Sequence, residues 1–448
     1  MCGQSMTLGC KSGILERFMK IGLFTDTYRP SINGIVYVVE SLKRHFEAEG
    51  HVVYVFCPAQ SIRPSKHADI LQEDEHIVRF PSVKGAFYED YDTSIFFPPR
   101  VLNRIRDLDL DVIHFFTPSQ VGLMGVYAAY KTNTPLVAQH CTDLHEYVGH
   151  YPSVLPGVLA LMTLIPFTVK FSSKEIADIM TLYRPRLERA EWGRDVVEKV
   201  ITMLYKKCDA VIALSRKSQH QLESWQTEDK YRYPLTLLPN GVDAIKPPTD
   251  QQLAAFRERW AIAPDDEVYG FVGRLGAEKN LALLIEAFEL VVRRRPKARL
   301  LFVGDFEYRE TLESLAQQTG YGSRITFTGA LPREDLGVAY AALHIFAFPS
   351  LTDTQGWVIH EAAHAGLPIL LVDRELSEVV EDGVNGYCVD NSAADMAEKI
   401  VSLFADPEKR LAFAEQSRKK AAQFTEKRQV KKLLKLYERT IIEHFSEH

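Results

Sequence analysis

Short apolar runs closed by turn residues recur along the chain, and between several of them the apolar positions take helical spacing. In the first half such runs cover residues 21–25, 52–57, 76–80, 111–115, 136–139 and 210–214. A second series covers residues 268–272, 300–303, 325–328, 345–348 and 369–372. Unbroken apolar runs of this length predict strands buried on both faces, and their alternation with helices predicts parallel sheets covered on each side. The predicted fold class is therefore α/β, with two doubly wound domains and a cleft between them. The turn-rich stretch Leu238-Pro239-Asn240-Gly241-Val242-Asp243, with Pro247-Pro248 behind it, is the natural join. The expected division is a loose leader at 1–18, a first domain at 19–243 and a second at 244–426. A basic amphipathic helix at 427–448 is expected to pack back across the first domain.

Four loops at predicted strand ends carry the candidate chemistry. In Pro349-Ser350-Leu351-Thr352-Asp353-Thr354-Gln355-Gly356, a strand gives way to a polar loop and then to a helix that stops at Gly366 with Pro368 beyond. The first-turn amides of that helix favour an anion, and Asp353 and Glu361 place two carboxylates beside it. On spacing alone the same pair describes a capped helix with one solvated Glu. In Gly273-Arg274-Leu275-Gly276-Ala277-Glu278-Lys279-Asn280, Arg274 offers a forked donor and Lys279 a compact charge, both suited to a diphosphate. Gly34, at the tip of a strand-to-helix loop before a helix at 36–49, lets backbone approach a ligand closely. The run Gln139-His140-Cys141-Thr142-Asp143-Leu144-His145-Glu146-Tyr147 brings imidazoles and carboxylates to another strand end, where they can orient a sugar or move a proton. A metal is not expected, because no H-E-x-x-H spacing occurs.

Composition narrows the class. The 448 residues, 46% of them hydrophobic, suffice for two or three packed cores, and a net charge of −6 argues against a nucleic-acid groove and for a small ligand. Six cysteines without C-x-x-C spacing read as free thiols in a reducing compartment, and the first 18 residues lack a signal-peptide core. The expected location is cytoplasmic.

Taken together, these residues resemble the retaining glycosyltransferases of family 4, whose GT-B architecture faces two Rossmann-like domains. The carriers are Asn33-Gly34, Pro239-Asn240-Gly241-Val242-Asp243, Gly273-Arg274 with Glu278-Lys279-Asn280, Val303-Gly304-Asp305, and Thr352 to Gly356 with Glu361-Ala362. The resemblance implies a hexosyltransferase that uses a nucleotide-diphosphate sugar, a UDP- or GDP-hexose, with no permanently bound cofactor. It implies that Arg274 and Lys279 hold the diphosphate, Glu361 the ribose and Asp353 the hexose. It also implies that Thr354, Gln355 and Gly356 present amides to phosphate and sugar, with Gly34, Asn240, Gly241 and Gly273 lining the donor site. The leaving diphosphate then helps take the acceptor's proton, so no protein nucleophile is expected.

Two positions depart from the family pattern. Asp353 stands where Glu is usual, in a Thr-Asp-Thr-x-Gly form that resembles the glycolipid-synthase branch. Cys141 stands where a His is usual, with His140 one place early, so alternate pointing in an extended segment is expected to turn His140 away, and His140 is kept as a candidate site residue on that footing. The branch implies a lipid-linked acceptor and work at the inner face of a membrane. The apolar, proline-broken stretch 154–171, with Lys170, Lys174, Arg184, Arg186, Arg189, Trp192 and Arg194 behind it, suits an interfacial segment and equally a buried helix. The competing readings are transfer to a soluble glycan or small molecule, a sugar-nucleotide epimerase or phosphorylase of the same fold, and a non-catalytic nucleotide-binding protein.

Overall fold

The computed structural model describes residues 18–31, 33–59, 75–84, 92–94, 99–145, 189–226 and 231–446. The first domain contributes strands β1 (Lys20–Phe24), β2 (Val52–Pro58), β3 (Ile77–Phe80), β4 (Ser82–Lys84), β5 (Asp92–Ser94), β6 (Val112–Phe115), β7 (Leu136–Gln139), β8 (Ala210–Ala213) and β9 (Leu235–Leu237). The second contributes β10 (Glu267–Val272), β11 (Ala298–Val303), β12 (Ile325–Phe327), β13 (Ile345–Phe348), β14 (Ile369–Leu371) and β15 (Gly386–Cys388). The sheets run β3-β2-β1-β6-β7-β8-β9 and β12-β11-β10-β13-β14-β15, parallel throughout, and β4 and β5 form a separate antiparallel pair.

Both faces of each main sheet are apolar, as the unbroken runs require. In β1, Ile21 and Leu23 enter one core of the first domain and Phe24 the other, the alternation a strand imposes. The first helix, Gly34–Ala48, begins two residues before the predicted start because Asn33 caps it, its Oδ1 accepting from the Val36 amide at 3.1 Å. The last helix, Glu426–Ser446, lies against the first sheet's outer layer. Val430, Leu433, Leu436, Tyr437 and Ile441 join that core, and the Tyr437 hydroxyl bonds buried His114.

The chain order reverses beside β1, which is flanked by β2 and β6, and beside β10, which is flanked by β11 and β13. Open parallel sheets leave a crevice outside the carboxyl ends of the strands at such a reversal. The loops after β1, β10 and β13 all leave from those ends, and they carry Gly34, the Arg274–Lys279 segment and the Asp353 segment respectively.

Candidate active site

The loop after β10 is shaped by glycines whose reasons differ. Gly273 adopts a φ of 144°, a conformation that favours a residue without a Cβ. A Cβ on Gly276 would stand 2.1 Å from Glu278 Oε2, so its absence makes room for a buried carboxylate. That carboxylate accepts from Arg274 Nη2 at 2.8 Å, and the guanidinium stacks over Phe306 at 4.4 Å. One short turn later Lys279 Nζ donates to Asp353 Oδ1 at 2.8 Å. The two loops therefore meet at a cation–carboxylate contact whose side chains are 13% and 19% exposed. Burial works against ionisation of Asp353, but the Lys279 ammonium, with Ser350 and Lys217, outweighs it and holds the carboxyl below the usual range. Its second oxygen, Oδ2, is buried with no hydrogen-bond partner.

Gly356, at a φ of 66°, turns the chain into the helix Trp357–Ala365, and Gly366 ends it at a φ of 77°. Glu361 lies on this helix, 2% exposed. Its Oε1 accepts from Arg333 Nη1 at 2.8 Å and Trp357 Nε1 at 3.1 Å, and its Oε2 accepts from the Tyr340 hydroxyl at 2.8 Å. The Arg333 guanidinium also stands 4.7 Å from the Tyr37 ring of the first domain. Trp357 lies one helical turn before Glu361, a spacing that marks neighbours on a helix face. Arg333 and Tyr340 come from another segment, and no local pattern announced them.

The first domain meets these loops through Cys141 rather than His140. The Cys141 carbonyl accepts from Thr354 Oγ1 at 2.9 Å, while burial pushes its thiol up to about 12. His140 turns inward to the Tyr205 hydroxyl at 3.0 Å, and burial lowers its pKa, keeping the imidazole neutral. Asn240 and Gln355 bond each other directly: Gln355 Oε1 accepts from the Asn240 amide at 3.1 Å and from Asn240 Nδ2 at 3.0 Å, and Gln355 Nε2 donates to the Asn240 carbonyl at 2.9 Å. Gln139 Nε2 adds a bond to Asn240 Oδ1 at 3.0 Å. These side chains clasp the domains together. Gly34 borders open space, with nothing within 4 Å of where a Cβ would stand.

Gly241 is different again. A Cβ there would stand 2.3 Å from Glu426 Cα and 2.6 Å from its nitrogen. The close approach is to the start of the last helix, where Val242 N donates to Phe424 O and Glu426 N to Asp243 Oδ1, each at 2.9 Å. Gly241→Ala is expected to cost about 1–3 kcal/mol of stability, the usual result of overpacking against backbone. Denaturant unfolding measures it, and an unchanged midpoint would show that the helix start simply yields.

This geometry has recognisable relatives. Residues 32–245 match the family described as Glycosyltransferase Family 4, and residues 254–420 match Glycosyl transferases group 1. An alpha-monoglucosyldiacylglycerol synthase of Acholeplasma laidlawii is 27% identical over 403 residues, covering 87% of this chain and 89% of its own. A GDP-mannose-dependent alpha-mannosyltransferase of Corynebacterium glutamicum is 24% identical over 380 residues, covering 84% and 77%. Among solved structures, Anabaena Alr3699/HepE in complex with UDP superposes with a TM-score of 0.65 at 18% identity, covering 94% of this chain and 100% of that one. The fold likeness and the two family matches, which leave only the chain ends and a short join uncovered, agree with the loops described above. The chain belongs to the family 4 glycosyltransferases of GT-B fold and is a hexosyltransferase.

Proposed function

We propose that this enzyme moves a hexose from a UDP- or GDP-hexose to a hydroxyl of a lipid-linked acceptor, keeping the anomeric configuration. The observation that carries the reading is the Lys279–Asp353 contact. It sets two cations from the loop after β10 against an acid and a helix N-terminus from the loop after β13, at neighbouring strand ends. In this reading Arg274 and Lys279 neutralise the diphosphate, helped by the first amides of the helix Trp357–Ala365. Asp353 Oδ2 takes a hexose hydroxyl and Glu361 the ribose. Gly273 and Gly356 let backbone approach the donor, and Gly34 leaves open space for it from the other side. The leaving diphosphate accepts the acceptor's proton, so neither inward-facing His140 nor the high-pKa Cys141 has to act as a nucleophile.

The names of the relatives support the two substrates: one is a diacylglycerol glycolipid synthase and another depends on GDP-mannose. Among the described residues no helix is long and apolar enough to cross a membrane. The interfacial stretch at 154–171 and most of the basic cluster behind it lie outside the described residues. A peripheral position at the inner face of a membrane is part of the proposal.

The test presents UDP- and GDP-hexoses with either diacylglycerol vesicles or soluble sugars, with and without EDTA, and reads the product anomer by NMR. The expected product is a glycolipid with the donor's own anomeric configuration, formed equally well in EDTA because Arg274 and Lys279 supply the positive charge. An inverted anomer would overturn retention. Loss of activity in EDTA that magnesium or manganese restores would overturn metal independence, and preference for a soluble sugar would remove the lipid acceptor.

A further inference from the structure

The helix Arg216–Ser224 leaves the carboxyl end of β8, capped by Ser215, whose Oγ accepts from the Ser218 amide at 3.2 Å. Its first turn is pressed against the second domain. Lys217 Nζ donates to the Leu351 carbonyl and lies 3.2 Å from Asp373 Oδ2. The Lys217 amide donates to the Glu375 carbonyl at 3.1 Å, and Ser218 Oγ donates to the Thr354 carbonyl at 3.2 Å. On either side, Arg216 Nε lies 3.2 Å from Glu378 Oε2 and His220 Nδ1 lies 2.9 Å from Glu375 Oε2. Three basic side chains of the first domain thus face three acids of the second.

These contacts are unequal. In the outer pairs, the Arg216 side chain is 64% exposed and His220 and Glu375 are 56% and 48% exposed. Water screens such pairs, and each contributes little. Lys217 and Asp373 are only 18% and 15% exposed, so the central pair is the one that water weakens least. Its position also matters for chemistry, because Leu351 and Thr354 bracket Asp353 in the donor loop. Lys217 holds the carbonyl two residues before Asp353, and Ser218 holds the carbonyl one residue after it. Both grips come from the other domain.

We infer that Lys217 is a positioning residue for glycosyl transfer, tying closure of the two domains to the setting of the loop that carries Asp353. This rests on the proposed role of Asp353 at the hexose. With the domains apart, the loop loses both carbonyl grips, and Asp353 keeps only its contacts within the second domain, chiefly Lys279. With the domains together, the lysine is anchored by Asp373 and its ammonium pins the loop. A lysine suits the task, since a compact ammonium can donate to a carbonyl and pair with a carboxylate at once.

The experiment compares the parent enzyme with Lys217→Met, Lys217→Arg, Asp373→Asn and the Lys217→Met/Asp373→Asn double variant. Steady-state kinetics are measured alongside small-angle scattering, without nucleotide and with UDP or GDP. Lys217→Met is expected to lower kcat on the order of 10²-fold, the scale of a roughly 1 Å misplacement, with the donor KM moving far less. Its radius of gyration should exceed that of the parent, and Lys217→Arg should recover part of both readings. Asp373→Asn should act in the same direction, and the double variant should be little worse than Lys217→Met alone, since the two residues act as one unit. A Lys217→Met protein with parental kcat overturns the inference. So does one that loses kcat while scattering like the parent, or a double variant whose losses multiply. Scattering needs no turnover, so the latch is read separately from the choice of donor and acceptor.

Discussion

Arg274→Ala and Lys279→Ala are each expected to lower turnover by roughly 10²- to 10³-fold in a protein that still folds. Both cations lie on a loop whose course is set by Gly273 and Gly276, so their removal leaves the backbone in place. The two variants should nonetheless differ. Arg274→Ala leaves the Lys279–Asp353 contact intact and removes the proposed phosphate donor, one partner of Glu278 and the stack over Phe306. Lys279→Ala also takes away the ammonium that offsets the burial of Asp353, so that carboxyl should titrate at a higher pH. The sign follows: Asp353 is ionised down to below the usual carboxylate range in the parent, and without Lys279 it picks up its proton sooner as pH falls. The acid limb of kcat should move to higher pH in Lys279→Ala and stay in place in Arg274→Ala. Turnover measured at saturating donor across pH checks both, and near-parental turnover in both variants would remove the proposed diphosphate site.

Much of the architecture was legible because its strands are buried on both faces. The runs at 136–139 and 345–348 match β7 and β13 residue for residue, since every position in them is buried and apolar or nearly so. The strands that escaped notice were β9 and β15, at the outer edges of their sheets. β9 is half-buried throughout, and β15 buries only Gly386, so neither leaves an apolar run to read. The β4–β5 pair, three residues per strand, is likewise too short to show a period.

At the site, residue types and strand-end positions were visible, but partnerships were not. Nothing local links Arg333 and Tyr340 to Glu361, or Asn240 to Gln355, because those contacts arise only when distant segments are folded together. Gly241, which the family resemblance places in the lining of the donor site, makes its close approach to the backbone of Glu426, a contact no local pattern shows. The pair His140–Cys141 was read by alternation, and it is the imidazole that turns into the core while the cysteine carbonyl meets Thr354.

Asp353→Asn should mainly lower kcat, by on the order of 10²-fold, whereas Glu361→Gln should mainly raise the donor KM. Asp353 keeps one oxygen on Lys279 and has a second, buried and without a partner, to offer a hexose hydroxyl. The asparagine keeps the shape but loses the charge, and its amide nitrogen must face either the ammonium or the sugar. A contact that orients the reacting sugar is felt most in the transition state. Glu361 is in a different position, because its carboxylate already accepts from Arg333, Trp357 and Tyr340. In the proposed role at the ribose, two hydroxyls would need more acceptor capacity than those three bonds leave, so donor binding should release one of them. Arg333 is the candidate, with a side chain 33% exposed. Tyr340 is 1% exposed, too deeply buried to withdraw. Glutamine at 361 can donate to the Tyr340 oxygen and accept from Trp357, so the helix should still form, but it offers ribose fewer acceptors in ground and transition states alike. Because Trp357 reports directly on this carboxylate, nucleotide binding should also change tryptophan emission in the parent and less so in Glu361→Gln. A fall in kcat at unchanged donor KM for Glu361→Gln, with the opposite for Asp353→Asn, would exchange the two assignments.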